Sequence, residues 1–365
     1  MFCRAYLHSN INIIGKRNER LKKTFGSNYL ATIPVDFFII LLHCFSVVKL
    51  EGNHDTYFKV IYPLSLWIGE TGVPGFFFIS GFLFFLSKKS YSQKFQSRFH
   101  TLFVPYILWN ALLLVCYLLA FVAGHPQEIN HKQMVNFEFI DYLRLFWDRG
   151  SFDDGNFVPL LCPFWYIRNL LIMSILSPLL FYLIKYAGRL TILLIASWWF
   201  TTPNNAFIPQ TLLFFCLGAF FSIHDKNPLR IVFKHKRLFL TLFGCFAIAD
   251  IVMHIGWYTP LGLQIHRMAL LFNIPVLILL ADWCVGKGIT SELLPNASFI
   301  VFAVHYPIVV TLRKMCTSIF VDSSDIIHIL LYLLCAIITT LLSLCFYWLL
   351  DKYLPKVKNI LSGNR

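Results

Sequence analysis

Charge is scarce in this sequence. Only 13% of its 365 residues are Asp, Glu, Lys or Arg, where soluble domains average roughly a quarter. No basic patch belongs to a soluble domain, which argues against nucleic acid as a partner despite a formal net charge of +13. The ten cysteines form no CxxC pair and no Cys/His spacing of the kind metals use. Most lie inside apolar runs (Cys44, Cys116, Cys216, Cys245, Cys284, Cys335, Cys345), where they read as small buried residues rather than a disulfide framework. No metal site is expected. No cleavable signal segment, internal repeat or separate soluble domain is visible.

What the sequence has is hydrocarbon. Hydrophobic residues make up 58% of it, 38 of them Phe. Apolar runs near 33–50, 62–86, 101–124, 163–184, 190–202, 207–223, 238–256, 263–281, 298–316 and 326–350 approach the length that crosses about 30 Å of hydrocarbon. The expectation is an all-α integral membrane protein, a bundle of about ten transmembrane helices in the lipid bilayer. The cations concentrate in alternate loops, within 4–23, 88–98, 185–189, 226–237, 287 and 352–365, while the long 125–160 loop is richer in acids. That asymmetry places both termini in the cytoplasm. It divides the chain into a basic N-terminal segment (1–32), a membrane domain (33–350) and a basic tail (351–365).

Ionisable side chains within such runs are costly and so mark functional candidates. His43, in "DFFIILLHCF", lies roughly 15 Å in from the cytoplasmic face, and His305, in "SFIVFAVHYPIV", roughly 12 Å in from the same side, at 1.5 Å per residue. Two histidines far apart in sequence thus share a depth and suggest one site. The alternative for each is a neutral histidine bonded between helices. Asp36 shares a helix face with His43 but is too far along the axis to bond it. Arg168 is expected about one turn below the outer face, either snorkelling outward or meeting a negative charge inside. Glu70 is expected to be a paired structural acid or part of a polar cavity, and Asp250 with His254 a local polar pair. Arg98, with Lys94 and His100 nearby, stands at the cytoplasmic mouth. There it either anchors topology or pairs with phosphates.

The stretch "GVPGFFFISGFLFF" (72–85) is apolar yet carries Gly72, Pro74, Gly75 and Gly81. Irregular backbone at membrane depth survives only where protein or a cavity receives it. This run is expected to bend, re-enter, or let another helix come close, as part of a cavity wall.

Taken together, "DFFIILLHCF", "VPGFFFISGFLFF", "RFHTLFVPYILWN", "FWYIRNLLIMSILSPLL", "FFCLGAFFSI" and "NASFIVFAVHYPIV" resemble, in order, acyltransferase family 3. These are polytopic membrane O-acyltransferases of bacterial surface glycans. The resemblance implies a thioester donor, acetyl-CoA or another acyl-CoA, and a saccharide or lipid-linked saccharide acceptor, in the bacterial plasma membrane. It implies that His43 is the catalytic base, that Arg98 handles the acyl-CoA with Lys94 and Asp36 near the same mouth, and that Arg168 and His305 are recurrent later positions, either one a candidate oxyanion donor. Thr32 stands where the family usually has a basic residue, His100 where Lys or Arg is common, Asn169 where Asp is common, and Gly75 where a bulkier residue is usual. Two rival readings are a transporter or flippase, to which broken helices are equally suited, and a non-catalytic glycolipid-binding protein, suggested by Thr32. Acyl-CoA turnover separates the three.

Overall fold

The computed structural model describes residues 35–45, 55–129, 131–149, 157–203, 207–253, 259–287, 293–320 and 323–364. Thr32, the rest of the 1–32 segment and His254 lie outside the described residues. Helices α1 (Val35–Cys44) and α2 (Asp55–Tyr62) come first. The latter runs through a π-helical stretch, Pro63–Gly69, to Glu70, and α3 (Gly72–Leu86) follows. Next is α4 (Tyr91–Arg98), started by a reciprocal cap in which Ser90 and Gln93 each satisfy the other's backbone N–H. A second π-helical stretch, Phe99–Phe103, joins α4 to α5 (Val104–Val122). A short antiparallel pair, Glu128–Ile129 with Lys132–Gln133, precedes α6 (Phe139–Arg144). The remaining helices are α7 (Trp165–Thr201), α8 (Phe207–Ile223), α9 (Pro228–Lys234), α10 (Lys236–Val252), α11 (Pro260–Gly286), α12 (Leu293–Ile319), α13 (Asp325–Tyr353) and α14 (Pro355–Ser362).

The chain is a multi-pass, all-α membrane protein. Among the described residues six helical stretches are long and apolar enough to cross a bilayer, and seven if the α8–α9 pair, bent by 98°, is one span. This is fewer than the ten runs of the sequence. α10 has 17 residues, the lower limit for a full crossing, and α1 is described over Val35–Cys44. The runs at 163–184 and 190–202 both fall within α7. That helix is broken at Ala187 (φ −129°, ψ 29°). The Thr191 hydroxyl reaches the Leu183 carbonyl at 3.4 Å, although eight residues of straight helix would separate them by about 12 Å. Trp165 stacks on Phe207, Gly188 lies against Phe220 and His224, and Trp199 packs on Phe214. The second arm of α7 therefore returns along α8. Arg267 secures its end by donating to the carbonyls of Phe200 and Thr202, as a cation at a helix C-terminus should.

The glycines of 72–85 act through close approach. α3 and α8 run antiparallel in contact. A Cβ on Gly81 would sit 2.1 Å from the Phe215 carbonyl oxygen, and one on Gly218 would sit 1.9 Å from that of Phe78. Only glycine admits backbones this near, the device membrane helices use where lipid provides no hydrophobic drive.

The 125–160 loop folds inward along α5. Ile129, Met134, Leu145 and Leu160 pack against Leu113, Leu114, Tyr117, Leu118 and Phe121. Deeper still, the Tyr106 hydroxyl donates to the Phe146 carbonyl, and Asn110 accepts from the Leu161 N–H at 2.9 Å. At its exposed end, Lys132 Nζ bonds Asp141 at 2.6 Å, and the Glu138 N–H bonds the same oxygen. Together they hold the Asp141 carboxyl below its ordinary value. The basic tail includes a helix, α14, held to α5 by the Trp109 indole donating to the Leu361 carbonyl. The α4–α5 junction with Arg98 and the tail thus share one side of the bundle.

Candidate active site

Two adjoining cavities occupy the bundle. The first, partly open, has a volume of about 240 Å³, and its wall includes Asp36, Ser80, Arg98 and Ser298. The second, also partly open, has a volume of about 160 Å³ and is lined by His43, Glu70, Gln210 and Trp165 among others. Phe76, Tyr166 and Phe302 belong to both walls. These three side chains are the partition between the cavities. Tyr166 packs on Phe76 and Phe302 with ring centroids 5.9 and 6.0 Å apart, and its hydroxyl is 3.4 Å from that of Ser80.

His43 and His305 meet. Their ring centroids are 5.3 Å apart, and Tyr306 lies edge-on to His43 at 5.1 Å. α1 and α12, carrying residues 262 positions apart in number (305 − 43), pack together to achieve this. His305 is buried. Its Nδ1 faces the Phe302 carbonyl at 2.7 Å, which makes Nδ1 the protonated nitrogen, while Nε2 is buried without a hydrogen-bond partner. His43 is partly open to its cavity.

Arg98 and Asp36 share the first cavity. Asp36 hydrogen-bonds Ser298. Lys94, one helical turn before Arg98, is outside the cavity wall, and its ammonium lies 5.0 Å from the Phe84 ring centroid. Arg98 is 5.8 Å from the same ring, so one aromatic face steadies both cations.

Arg168 is 2% exposed, so it does not snorkel outward; it lies one turn into α7 among the infolded loop and belongs to neither cavity wall. Its guanidinium donates to the carbonyls of Trp147 (2.6 Å) and Phe157 (2.9 Å) and to Asn169 Oδ1, with Phe157 stacked over it at 3.8 Å. Asn169 in turn donates to Thr211. A loop buried at membrane depth needs its carbonyls satisfied, and Arg168 does this. Replacing it by Met removes the donors of two part-buried carbonyls, at up to about 1–3 kcal/mol each. The expected result for Arg168→Met is a melting temperature lowered by several degrees and faster proteolysis within 145–160. A lowered rate with unchanged melting and cleavage would assign Arg168 to the chemistry instead.

The sequence reading did not single out His266. Its Nδ1 is 2.9 Å from Asp250 and its Nε2 3.2 Å from Glu70, and the Tyr62 hydroxyl donates to the other Asp250 oxygen at 3.1 Å. The described partners of Asp250 are thus His266 and Tyr62. The only sequence signal was the cost of charge in an apolar run, "GLQIHRMALLF", and it was equally present at Arg267. Glu70 joins this buried chain to the His43 cavity. Gly69 lets it come close, since a Cβ there would lie 2.9 Å from the Phe38 carbonyl and 3.1 Å from the Leu42 nitrogen of α1. π-Helical turns often mark functional sites. Here one leads into Glu70 and the other follows Arg98.

These features define a polytopic helical membrane protein with two internal cavities and a histidine pair at one of them. Its sequence matches the model of the Acyltransferase domain family across residues 37–348. The chain belongs to that family, acyltransferase family 3. A relative from Rhizobium meliloti (strain 1021), the succinoglycan biosynthesis protein ExoH, is 26% identical over 275 residues, covering 68% of this chain and 68% of its own length. No solved structure matches.

Proposed function

We propose that the protein transfers an acyl group, taken here as acetyl, from acyl-CoA to a hydroxyl of a cell-surface or lipid-linked saccharide. The observation that carries this reading is the pair of cavities divided by Phe76, Tyr166 and Phe302, one holding Arg98 and the other His43 against His305. A bisubstrate transfer needs such an arrangement, with two ligands approaching one plane from opposite sides. The saccharide is suggested by the relative's name.

In this reading the CoA phosphates pair with Arg98 at the cytoplasmic mouth, assisted by Lys94, and the thioester reaches the partition. The unprotonated His43 nitrogen takes the proton of the attacking hydroxyl. The sugar oxygen bonds the acyl carbon, the carbon–sulfur bond breaks, and the CoA thiolate leaves with the proton that His43 held. An ester and CoA–SH result. His305, its own ring fixed by the Phe302 carbonyl, packs against the His43 ring and limits its orientation. The oxyanion donor we favour is the Tyr166 hydroxyl, which borders both cavities, over Arg168, whose donors serve the loop.

The donor half is tested by comparing acetyl-CoA with acetyl-pantetheine, which lacks the nucleotide phosphates. Arg98→Ala is expected to raise the KM for acetyl-CoA about ten- to a hundredfold, the range for a charge-assisted hydrogen bond. The KM for acetyl-pantetheine should not move. An equal rise for both donors would remove Arg98 from phosphate recognition.

A further inference from the structure

The chain Tyr62–Asp250–His266–Glu70 is buried, continuous and unused by the transfer chemistry above. His266 faces a carboxylate with each ring nitrogen. Carboxylates only accept, so each contact requires a proton between imidazole and oxygen. His266 is 1% exposed and Asp250 2%, which leaves no room for either to turn toward water. The consequence is a fixed carboxylate at the cavity: Glu70 is held through one oxygen by a ring that is itself held by Asp250, and Asp250 by Tyr62. Nearby, Thr71 donates to the Trp67 carbonyl and accepts from Asn273 at 2.6 Å, so the backbone beside Glu70 is also held. Such a group is too costly to keep in a membrane bundle for packing alone.

Across the same cavity stand Gln210, buried, and Trp165, stacked on Phe207 at 4.0 Å with the rings 15° apart. A carboxylate and an amide suit adjacent hydroxyls, and the part of the indole that lines the cavity, its ring fixed by the Phe207 stack, suits the C–H groups of a sugar ring. We infer that Glu70, positioned by His266, binds acceptor hydroxyls next to the one that reacts, with Gln210 and Trp165 completing a saccharide subsite in the His43 cavity. The inference rests on the transfer reading for which substrate fills which cavity. Glu70 is a binding residue for the acceptor, and His266 is a positioning residue.

The test uses the full chain in nanodiscs and alkali-de-esterified succinoglycan oligosaccharides as the probe. Equilibrium binding of the probe is measured without donor, and KM for both substrates in the transfer reaction. Glu70→Gln is expected to weaken probe binding and raise acceptor KM about tenfold or more, one charge-assisted hydrogen bond's worth, with acetyl-CoA KM unchanged. Glu70→Asp should recover part of the loss. His266→Asn should shift acceptor KM in the same direction without moving donor KM, which a general loosening of the fold would not do. Unchanged acceptor binding in Glu70→Gln, equal rises for donor and acceptor, or no binding of the probe by the native protein would each overturn the inference. Native protein that binds the probe in a Glu70-dependent way but transfers nothing would uphold the subsite and count against the transfer reading.

Discussion

Acyl transfer by His43→Ala is expected to fall about a thousandfold in kcat, with the acyl-CoA KM within about twofold of native. A positioned general base contributes about 10²–10⁴, and His43 is the histidine open to a cavity. A loss confined to kcat is the signature of an interaction made only in the transition state. His305→Ala should give a smaller loss, since its Nδ1 bond to Phe302 and its contact with His43 fit a holding role. Steady-state kinetics on purified protein distinguishes the two. If the larger loss falls on His305, the roles are reversed. If neither variant loses more than about tenfold, well below the range for a general base, the histidine pair is not the catalytic base.

The second large effect is on folding. Gly218→Leu is expected to prevent recovery of folded protein, and Gly218→Ala to lower the melting temperature strongly. The added Cβ would lie 1.9 Å from the Phe78 carbonyl oxygen and 2.7 Å from the Phe82 nitrogen. Both are backbone atoms, which cannot rotate aside, so α3 and α8 must part along their shared face. Overpacking a fitted core costs about 1–3 kcal/mol and occasionally more, and a clash with fixed backbone belongs at the upper end. Gly81→Ala should behave likewise, its Cβ meeting the Phe215 carbonyl at 2.1 Å. The control is Gly244→Ala in α10, where an added Cβ meets nothing within 4 Å. There a neutral or slightly stabilising effect is expected, because Ala favours helix over Gly by up to about 1 kcal/mol. Melting curves in one detergent compare all three. Equal melting temperatures would mean that α3 and α8 are not held at this distance.

Much of this site was legible in the sequence for a physical reason. A charge or imidazole in hydrocarbon is expensive, so His43, His305, Asp36 and Glu70 stood out at once. Counting 1.5 Å per residue then put the two histidines at one depth before any contact was known. The glycines of 72–85 likewise left a bend, a re-entry or a close approach open, and at Gly81 the close approach is what the structure has. Depth can be counted along a helix, whereas direction around it cannot be read in a chain apolar on every side. His266 and Glu70 therefore did not appear as partners. Asp250 looked toward His254, four residues on, while its described contacts lie on α11 and α2. For Arg168 the sequence left outward snorkelling and an interior role both open, and it did not show the loop carbonyls that the guanidinium meets. The loop's infolding depends on Tyr106, Asn110 and Arg168 itself satisfying loop backbone, a tertiary arrangement with no local pattern. The helix break at Ala187 was visible only as a gap between two runs, without the sign that both arms belong to α7. The roles of Arg98 and the donor came from the family resemblance, which geometry alone would have left as a basic residue in a cavity.

The central claim is transfer from acyl-CoA to a saccharide hydroxyl across the Phe76–Tyr166–Phe302 partition. The most direct measurement supplies purified protein in nanodiscs with [¹⁴C]acetyl-CoA and de-esterified bacterial oligosaccharides, then follows the label. The account predicts label in the oligosaccharide as an alkali-labile ester, CoA–SH released in equal amount, and neither with His43→Ala. Oligosaccharide bound or moved across the membrane while every label stays on CoA would contradict it.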